Sequence, residues 1–313
     1  MNQKKTRKLT VSIGIPVYNE EANIKELILR LVKQEQDNYM LKEIMVFFDG
    51  TTDNSVDIVK SLANRFKIIK MFIFKKRSGQ QAMQNLMLKK YSGDLLMIVE
   101  GDALPADTGV IDELVHPFKK SSIKNLGIAV GNAEPVKPVG LFEKVMTQGS
   151  RMKSKMFSEW RGGDNIYCCN SAKILSRNFT QNLTWPLDLP EDVYTYFRLK
   201  QLNLKMVKQH RARFYFRNVT NFKDRKKQCT KFISGRRSFC KYFEPAWIKK
   251  EYSPPFGLVV KSVLSSFFRN PVLIVLYLLE VCINRITTLK VSKFDPLFMP
   301  HRSSKTLIYK QTE

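Results

Sequence analysis

The chain contains few of the residues that most often build thiolate or imidazole sites. Its 313 residues include five cysteines, an odd number with no C-x-x-C spacing, and three scattered histidines, His116, His210 and His301. The cysteines favour neither a zinc site nor a disulfide framework, and they fit a reducing compartment. Because the histidines have no partner spacing, a histidine-based nucleophile or metal site is not indicated.

Long apolar runs are also missing. Residues 1–8 are basic and lead directly into a strand-like pattern, without the roughly 7 to 15 apolar residues of a secretory signal. We therefore expect the N-terminal part of the chain to stay in the cytoplasm.

Two shorter apolar segments lie near the C-terminus. Residues 256–268 and 272–283 are apolar apart from a few polar positions such as Glu280, and a basic turn separates them. Neither reaches the roughly 18 uninterrupted apolar residues of a spanning helix. They predict an interfacial helix pair over about 256–290 that binds the cytoplasmic side of an anionic membrane, with a short transmembrane hairpin as the alternative.

Acidic residues are scarce beside basic ones. The sequence has 53 Lys and Arg against 28 Asp and Glu, a formal charge of +25. Such an excess attracts phosphates, nucleic acid or anionic lipid without distinguishing among them. A nucleic-acid-binding protein is one alternative, but no helix-turn-helix, zinc or RNP-like signature supports it, so no nucleic-acid partner is expected.

The first hundred residues alternate between two periodicities. The β-branched run at 10–17 predicts a buried strand, and the apolar stripe at 24–32 predicts an amphipathic helix. Strand-like runs recur at 44–48, near 67–74 and at 95–99, with helical patterns between them. This βαβαβαβ series predicts an α/β fold with a mostly parallel sheet and right-handed crossovers.

Several of the acidic residues mark the ends of apolar runs. They are Glu20, Asp49, Glu100, Asp102 and, further along, the pair Glu191-Asp192. Open α/β sheets bind ligands at the carboxyl ends of their strands, and carboxylate oxygens suit Mg²⁺ or Mn²⁺. The pattern therefore predicts an enzyme that binds a metal-bound nucleotide. For Asp102 alone a solvated turn would be the simpler interpretation, but the preceding strand series favours metal ligation.

Four short motifs stand out along the same region. They are Ser12 to Glu21 (SIGIPVYNEE), Asp49 to Ser55 (DGTTDNS), Gly93-Asp94 before a strand, and Glu100-Gly101-Asp102. Together they resemble the family 2 glycosyltransferases of the GT-A fold, over about residues 10–240. The resemblance implies a Rossmann-like, mostly parallel sheet flanked by helices in a catalytic domain of residues 1–245. Its nucleotide-binding half would be about 10–105 and its acceptor half about 106–245, followed by a membrane-associating helical region and tail at 246–313.

The resemblance implies roles for the residues at the strand ends. Those beside the base and ribose of a nucleotide-diphosphate sugar would be Pro16, Tyr18, Glu20 and Asp49, the last recognising the base. The E-x-D element would ligate Mn²⁺ or Mg²⁺ through Asp102 and through Glu100, where the family more often has Asp. Such an ion stabilises the negative charge that develops on the leaving diphosphate.

The pair Glu191-Asp192 resembles the E-D element of the family, whose aspartate is the catalytic base of inverting members. Asp192 would therefore accept the proton of the acceptor hydroxyl, with Glu191 as the second candidate. Acidic residues in a first helical turn also stabilise the helix dipole without catalysis, which is the alternative. Residues 228–232 are similar in spacing to the Q-x-x-R-W element of processive synthases. Lys231 and Phe232 replace its Arg and Trp, so processive polymer synthesis is not predicted.

Two basic segments are candidates for contact with the diphosphate. Arg77, Gly79 and Gln80 open a predicted helix whose N–H groups suit an anion. Lys231 and Arg236 could close over the diphosphate from a later segment, although a basic run also fits a solvated or lipid-facing surface.

Together with the motifs and the charge, the resemblance thus implies a metal-dependent, inverting glycosyltransferase that acts at the cytoplasmic side of the cell membrane. It would pass a sugar from a nucleotide-diphosphate donor to a lipid-linked or polysaccharide acceptor, as in cell-envelope polysaccharide biosynthesis. Two alternatives stay open. A nucleotidyltransferase would usually carry a Gly-rich basic loop where this chain has residues 16–20. A catalytically inactive, glycosyltransferase-like binding module would fit the departures at Glu100 and in the Q-x-x-R-W element.

Overall fold

The computed structural model describes residues 7–119, 124–170, 172–287, 297 and 302–307, apart from the side chains of 235–237. An eight-stranded sheet consists of β1 (Leu9–Val17), β2 (Tyr39–Asp49), β3 (Ile69–Phe74), β4 (Leu95–Ile98), β5 (Leu104–Pro105), β6 (Leu126–Pro135), β7 (Lys173–Ser176) and β8 (Lys205–Phe216). The helices are α1 (Ile24–Val32), α2 (Ser55–Arg65), α3 (Gln80–Lys90), α4 (Val110–Lys119), α5 (Leu141–Glu159), α6 (Arg177–Thr180), α7 (Glu191–Gln201), α8 (Phe222–Ser238), α9 (Pro245–Glu251), α10 (Phe256–Phe267) and α11 (Pro271–Thr287).

The sheet is parallel in its first half and mixed in its second. Its strand order is β3-β2-β1-β4-β7-β6-β8-β5. Strands β3, β2, β1 and β4 are parallel neighbours, which confirms the predicted βαβ series. Strand β7 runs antiparallel to both β4 and β6, and β5 runs antiparallel to β8. The expectation of a mostly parallel sheet is therefore corrected to a mixed sheet.

Helices cover both faces of the sheet. Along β2, Ile44, Val46 and Phe48 pack into a cluster with α1, α2 and α4, whereas Met45 and Phe47 pack into a second cluster with α3 and α7. Successive side chains of a strand point to opposite faces, so a strand buried on both faces is apolar throughout. This construction leaves the carboxyl ends of β1, β2 and β4 as the open edge on which polar residues meet.

The last helices pack on α5. Tyr277 of α11 lies against Gly149 of α5, where an added Cβ would come within 2.1 Å of the tyrosine ring. Glu280, one of the few polar residues of α11, forms a buried ion pair with Arg225 of α8 at 2.9 Å. The outward sides carry exposed apolar residues, including Phe256, Val260, Leu264, Phe268, Val272, Leu279 and Ile286. Among the described residues, no helix has the length and apolar character needed to cross a bilayer. Residues 288–290 of the predicted membrane segment lie outside the described part.

Candidate active site

The carboxyl ends of β1, β2 and β3 form one side of the site. Tyr18 directly follows β1, and the guanidinium of Arg77, after β3, lies over the Tyr18 ring at 3.9 Å from its centroid. Asp49 is the buried last residue of β2. Its carboxylate oxygens accept hydrogen bonds from the backbone N–H groups of Ser78 (2.6 Å) and Gly79 (2.7 Å). The structure thus brings three predicted nucleotide-binding residues to one edge.

These hydrogen bonds change the expectation for the start of α3. Gly79 has a φ of 95°, a backbone conformation that favours glycine, and its N–H donates to Asp49. The anion bound at this helix start is therefore the Asp49 carboxylate, and Gly79 has no free N–H to offer a diphosphate. Asp49 consequently fixes the loop that carries Arg77.

Pro16, another residue predicted to contact the nucleotide, lies within β1, opposite Phe47 of β2.

Glu20 is the buried carboxylate at the β1 side of the site. Burial raises its pKa, although a neighbouring cation, Lys305, acts in the opposite direction. Among the described residues, its Oε2 has no hydrogen-bond partner. Gly101 of the E-x-D element has no room for a side chain, because an added Cβ would lie 2.7 Å from Cγ of Glu20. This close approach places Glu20 directly beside the E-x-D element.

Lys305 is a residue of the site that the sequence did not reveal. Its Nζ donates to Glu20 Oε1 at 2.7 Å and to the Tyr18 carbonyl at 2.6 Å, and it also bonds the Asn19 carbonyl. Two residues later, Leu307 is buried in the main core. The lysine and its partners are about 285 positions apart in the sequence, so no local pattern could connect them.

The E-x-D element follows β4 at the centre of the edge. Gln80 at the start of α3 donates its Nε2 to Glu100 Oε1 at 3.0 Å. Gln80, predicted to contact the diphosphate, therefore donates its hydrogen bond to Glu100 in this structure. Desolvation and, after it, the charge of Asp102 raise the pKa of Glu100, so the two predicted metal ligands lie within electrostatic range of each other.

The E-D element forms the opposite side of the site, at the start of α7. Asp192 forms an ion pair with Lys173, a buried lysine in β7. The Asp192 side chain is 24% exposed, whereas Glu191 is only 4% exposed. Within the described structure, Glu191 Oε2 has no hydrogen-bond partner. Lys173 is a second residue that sequence reasoning missed, because a lone lysine in a short apolar strand carries no motif.

Three carboxylates from two distant elements converge at this point. Glu100, Glu191 and Asp192 each place one oxygen within 4.8 Å of the other two. Glu100 is open to solvent on one side, but desolvation in the cleft, followed by the charges of Asp102 and Asp192, raises its pKa to about 7. Desolvation also raises the pKa of Glu191 to about 7. Desolvation and the charge of Glu20 together raise the pKa of Asp102 to about 6. Negative charge is therefore concentrated here beyond what the protein compensates.

Lys231 of α8 is a second cation near this group, in addition to Lys173. Burial lowers its pKa, but Glu191, Glu100 and the other carboxylates outweigh that effect and raise it. Lys231, one of the two predicted diphosphate contacts of this basic segment, therefore lies within electrostatic range of the carboxylates. The side chain of Arg236, five residues later, lies outside the described part, so its diphosphate contact stays a prediction.

The donor set fits a hard divalent cation. Mg²⁺ and Mn²⁺ prefer carboxylate oxygens, and a dication would relieve the repulsion that raises these pKa values. Of the two predicted metal ligands, Glu100 belongs to the three-carboxylate group. Asp102 lies beside that group, and the structure adds Glu191 and Asp192 as further oxygen donors.

The sequence matches the family model described as glycosyl transferase family 2 over residues 12–184, more than half of the chain. Similar curated proteins include an uncharacterized glycosyltransferase from Haemophilus influenzae, 32% identical over 92 residues, 29% of this chain and 36% of that protein. A dolichol-phosphate mannosyltransferase from Pyrococcus furiosus is 26% identical over 149 residues, 47% and 41% of the two chains. An undecaprenyl-phosphate 4-deoxy-4-formamido-L-arabinose transferase from Proteus mirabilis is 29% identical over 93 residues, 29% and 28%. The chain spans less than half the length of each of these relatives.

Solved structures show the same architecture. A mannosyltransferase from Pyrobaculum calidifontis in complex with GDP-Man and Mn²⁺ has a TM-score of 0.60 at 14% identity, covering 90% of this chain and 76% of that one. Glucosyl-3-phosphoglycerate synthase from Mycobacterium tuberculosis, in complex with Mn²⁺, UDP and phosphoglyceric acid, has a TM-score of 0.52 at 14% identity, covering 76% and 80%. At these identities the likeness concerns the fold, a GT-A-like mixed sheet flanked by helices.

Proposed function

The chain belongs to glycosyl transferase family 2, and we propose that it moves a sugar from a nucleotide-diphosphate sugar to a lipid-linked or glycan acceptor with inversion. The observation that carries this proposal is the convergence of Glu100, Glu191 and Asp192 opposite Lys231 at the carboxyl edge of the sheet. Two relatives act on lipid phosphates, as their names state, which supports a lipid-linked acceptor.

We assign the nucleotide to the ends of β1 and β2. Tyr18, held under Arg77, offers a flat face to the base, and Asp49 borders the same space. Glu20 Oε2 would accept a hydrogen bond from a ribose hydroxyl, because this buried oxygen has no partner in the described structure. Pro16 would line the base side of the pocket.

The cation would be Mn²⁺ or Mg²⁺, held by Glu100 and Asp102. When bound, it would supply charge stabilisation to the leaving diphosphate. Lys231, and Arg236 if its side chain reaches the site, would contact the same diphosphate. Gln80 orients Glu100 for this task through its hydrogen bond.

Asp192 would act as the general base. The acceptor oxygen attacks the anomeric carbon, the bond from that carbon to the diphosphate breaks, and the hydroxyl proton passes to the Asp192 carboxylate. Its partial exposure allows contact with an acceptor, and the ion pair with Lys173 holds it in place. Glu191 is the second candidate, since its pKa of about 7 suits proton transfer near neutral pH.

The exposed apolar sides of α10 and α11 support a location at the membrane. Phe256, Phe268 and Val272 are among the exposed residues there, and apolar helix faces beside basic residues favour binding to anionic bilayers. We place the protein at the cytoplasmic side as a peripheral or monotopic protein, with residues 246–313 as its membrane-associating region.

The donor site can be tested by thermal unfolding with a panel of nucleotide diphosphates and nucleotide sugars, with and without Mn²⁺. A ligand that binds only the native state raises the melting temperature. At a ligand concentration of 100 times Kd it increases the free energy of unfolding by about 2.7 kcal/mol. We expect a Mn²⁺-dependent shift for one base, lost in Asp102→Asn.

Two other results would point elsewhere. No shift with any nucleotide would reject the donor site. A shift without sugar transfer to any lipid-linked or glycan acceptor would favour the inactive binding module, whose departures from the family pattern include Glu100 and Lys231. A nucleotidyltransferase would instead release pyrophosphate from a nucleoside triphosphate.

A further inference from the structure

A cavity lies between α5 and the end of α10, and none of the carboxylates of the proposed reaction lines it. It has a volume of about 230 Å³, and one face of α5 and the turn between α10 and α11 line it. Its charged lining residues are Arg151, Lys155, Glu159, Lys261 and Arg269. The proposed sugar transfer uses none of these residues, so the cavity calls for its own explanation.

The charge of the cavity favours an anion. Lys261 and Glu159 form an ion pair at 3.1 Å and largely cancel each other. Arg151, Lys155 and Arg269 remain, and none of them forms an ion pair with a carboxylate in the described structure. Guanidinium and ammonium groups are the side chains that bind phosphate most strongly.

The cavity lining also supplies neutral hydrogen-bond donors of the kind that phosphate oxygens accept. Ser262, Ser265 and Ser266 of α10 line the cavity, and their hydroxyl groups can donate to phosphate oxygens. Gln148 and Asn270 add amide groups. Three net positive charges together with hydroxyl and amide donors form a chemical match for a phosphate ester.

The surroundings of the cavity identify the source of that phosphate. Phe268 is 82% exposed and immediately precedes Arg269, while Val272 is 67% exposed and begins the outward side of α11. Exposed apolar residues therefore adjoin the cationic lining within a few positions. In a bilayer, apolar side chains enter the acyl boundary while neighbouring Lys and Arg meet the phosphates of the headgroups. A free metabolite would not require this apolar border.

We propose that the cavity between α5 and the α10–α11 turn binds the phosphate headgroup of an anionic phospholipid such as phosphatidylglycerol. Arg151, Lys155 and Arg269 provide the charge, and the serines of α10 provide hydrogen bonds. The site anchors the helix pair at a fixed depth and is distinct from the site of sugar transfer. It deepens the membrane role included in the proposed function, but it does not depend on the identity of donor or acceptor.

The test compares two triple variants of equal charge. The cavity variant carries Arg151→Gln, Lys155→Gln and Arg269→Gln. The control carries Lys25→Gln, Lys60→Gln and Lys90→Gln, three exposed lysines on α1, α2 and α3. Both are measured by co-sedimentation with vesicles of phosphatidylcholine alone and of equal parts phosphatidylcholine and phosphatidylglycerol. Each basic residue near an anionic surface contributes about 1 kcal/mol, so the cavity variant should lose roughly 100-fold in affinity for the anionic vesicles.

The control variant should lose less than about threefold, because its lysines lie on helices that pack against the first half of the sheet. Equal losses in both variants would show that overall charge, not the cavity, determines binding, and would overturn the proposal. Unchanged binding of the cavity variant would do the same. If inorganic phosphate raised the melting temperature of the wild type while vesicles did not bind, the site would be a free-phosphate site.

Nucleotide binding separates this proposal from the proposed function. The cavity variant should keep the Mn²⁺-dependent thermal shift with its nucleotide, which also shows that it is folded. If the wild type binds vesicles through the cavity but shows no thermal shift with any nucleotide, the headgroup site is supported and the proposed donor site is rejected. If it shows the nucleotide shift but does not bind vesicles through the cavity, the donor site is supported and the headgroup site is rejected.

Discussion

A carboxylate within the sheet, Glu43, and the group of carboxylates at the carboxyl edge of the sheet have opposite electrostatics. Glu43 of β2 is fully buried, and its oxygens accept hydrogen bonds from the Ser12 hydroxyl (2.7 Å), the Ser92 N–H (2.9 Å) and the Lys70 ammonium (2.6 Å). Burial alone would raise its pKa, but these partners outweigh burial and hold the pKa at about 2. The ionised carboxylate of Glu43 therefore connects β2 to β1, to β3 and to the loop before β4.

The carboxylates at the carboxyl ends of the strands have fewer donors: Glu100 accepts a hydrogen bond from Gln80, and Glu191 Oε2 has no partner among the described residues. The pKa of Glu100 and that of Glu191 are raised to about 7, first by desolvation and then by the other acids. Glu43, Glu100 and Glu191 are all glutamates, so the difference in pKa arises from the donors and the neighbouring charges that the fold supplies. Uncompensated acids in a cleft are typical of sites that receive a charged ligand, whereas compensated acids stabilise the fold.

The largest expected effect is the loss of catalysis in Asp192→Asn. The amide cannot accept the acceptor proton, so kcat should fall by about 10² to 10⁴. Thermal stability should also fall, by about 1–2 kcal/mol, because the amide leaves the buried Lys173 without its carboxylate partner. The measurement is sugar transfer under saturating donor, with nucleotide binding as the control for an intact site. Glu191→Gln with a larger loss than Asp192→Asn would assign the base to Glu191.

The counterpart is Glu43→Gln, which should affect stability and leave turnover unchanged. It removes a buried charge from Lys70 and from two serine donors, at an expected cost of about 2–3 kcal/mol, less than for a fully buried pair because Lys70 is half exposed. Urea unfolding measures this difference. Because the native pKa of Glu43 is lowered, the stabilisation is present above the ordinary glutamate pKa and disappears as the pH falls towards 2. A Glu43→Gln protein with normal stability but no activity would contradict the division between the two groups.

The sequence predicted the parts of the fold and site that depend on local pattern. The alternating apolar runs predict β1, β2, β4 and their helices, and the E-x-D and E-D motifs lie where the sheet brings their carboxylates together. The antiparallel insertion of β7 was not predicted, because four residues of apolar sequence do not specify strand direction.

The missed residues share a physical reason. Lys173 contacts Asp192 from 19 residues away and Lys305 contacts Glu20 from 285 residues away, and each is a single lysine without a surrounding motif. The hydrogen bonds from the start of α3 to Asp49 were missed for the same reason, since they join positions about 30 residues apart. Charge compensation is a property of the assembled edge, and a linear pattern does not encode it.

Lys305→Met should have the next largest effect. It removes the cation from buried Glu20 and leaves the carbonyls of Tyr18 and Asn19 without their donor. We expect a stability loss of about 1–2 kcal/mol at pH 8. The loss should shrink at pH 4, where Glu20 is protonated and needs no cation. Lys25→Met, at an exposed position of α1, is the control. Equal effects of the two substitutions would mean that Lys305 is not coupled to Glu20.

The smallest expected effect has the opposite sign. Glu191→Gln should stabilise the protein at pH 8 by on the order of 1 kcal/mol, because the amide replaces a carboxylate whose ionisation the cleft disfavours. The native pKa is raised, so wild-type stability from this group is complete below the ordinary glutamate pKa and is lost as the pH rises through about 7. The variant and the wild type should therefore unfold alike at pH 4 and diverge by pH 8. Mn²⁺ should narrow the difference at pH 8, because a bound dication stabilises the ionised carboxylates of the wild type more than the neutral amide. A destabilised Glu191→Gln protein at pH 8 would place Glu191 with Glu43, among the acids that hold the fold together.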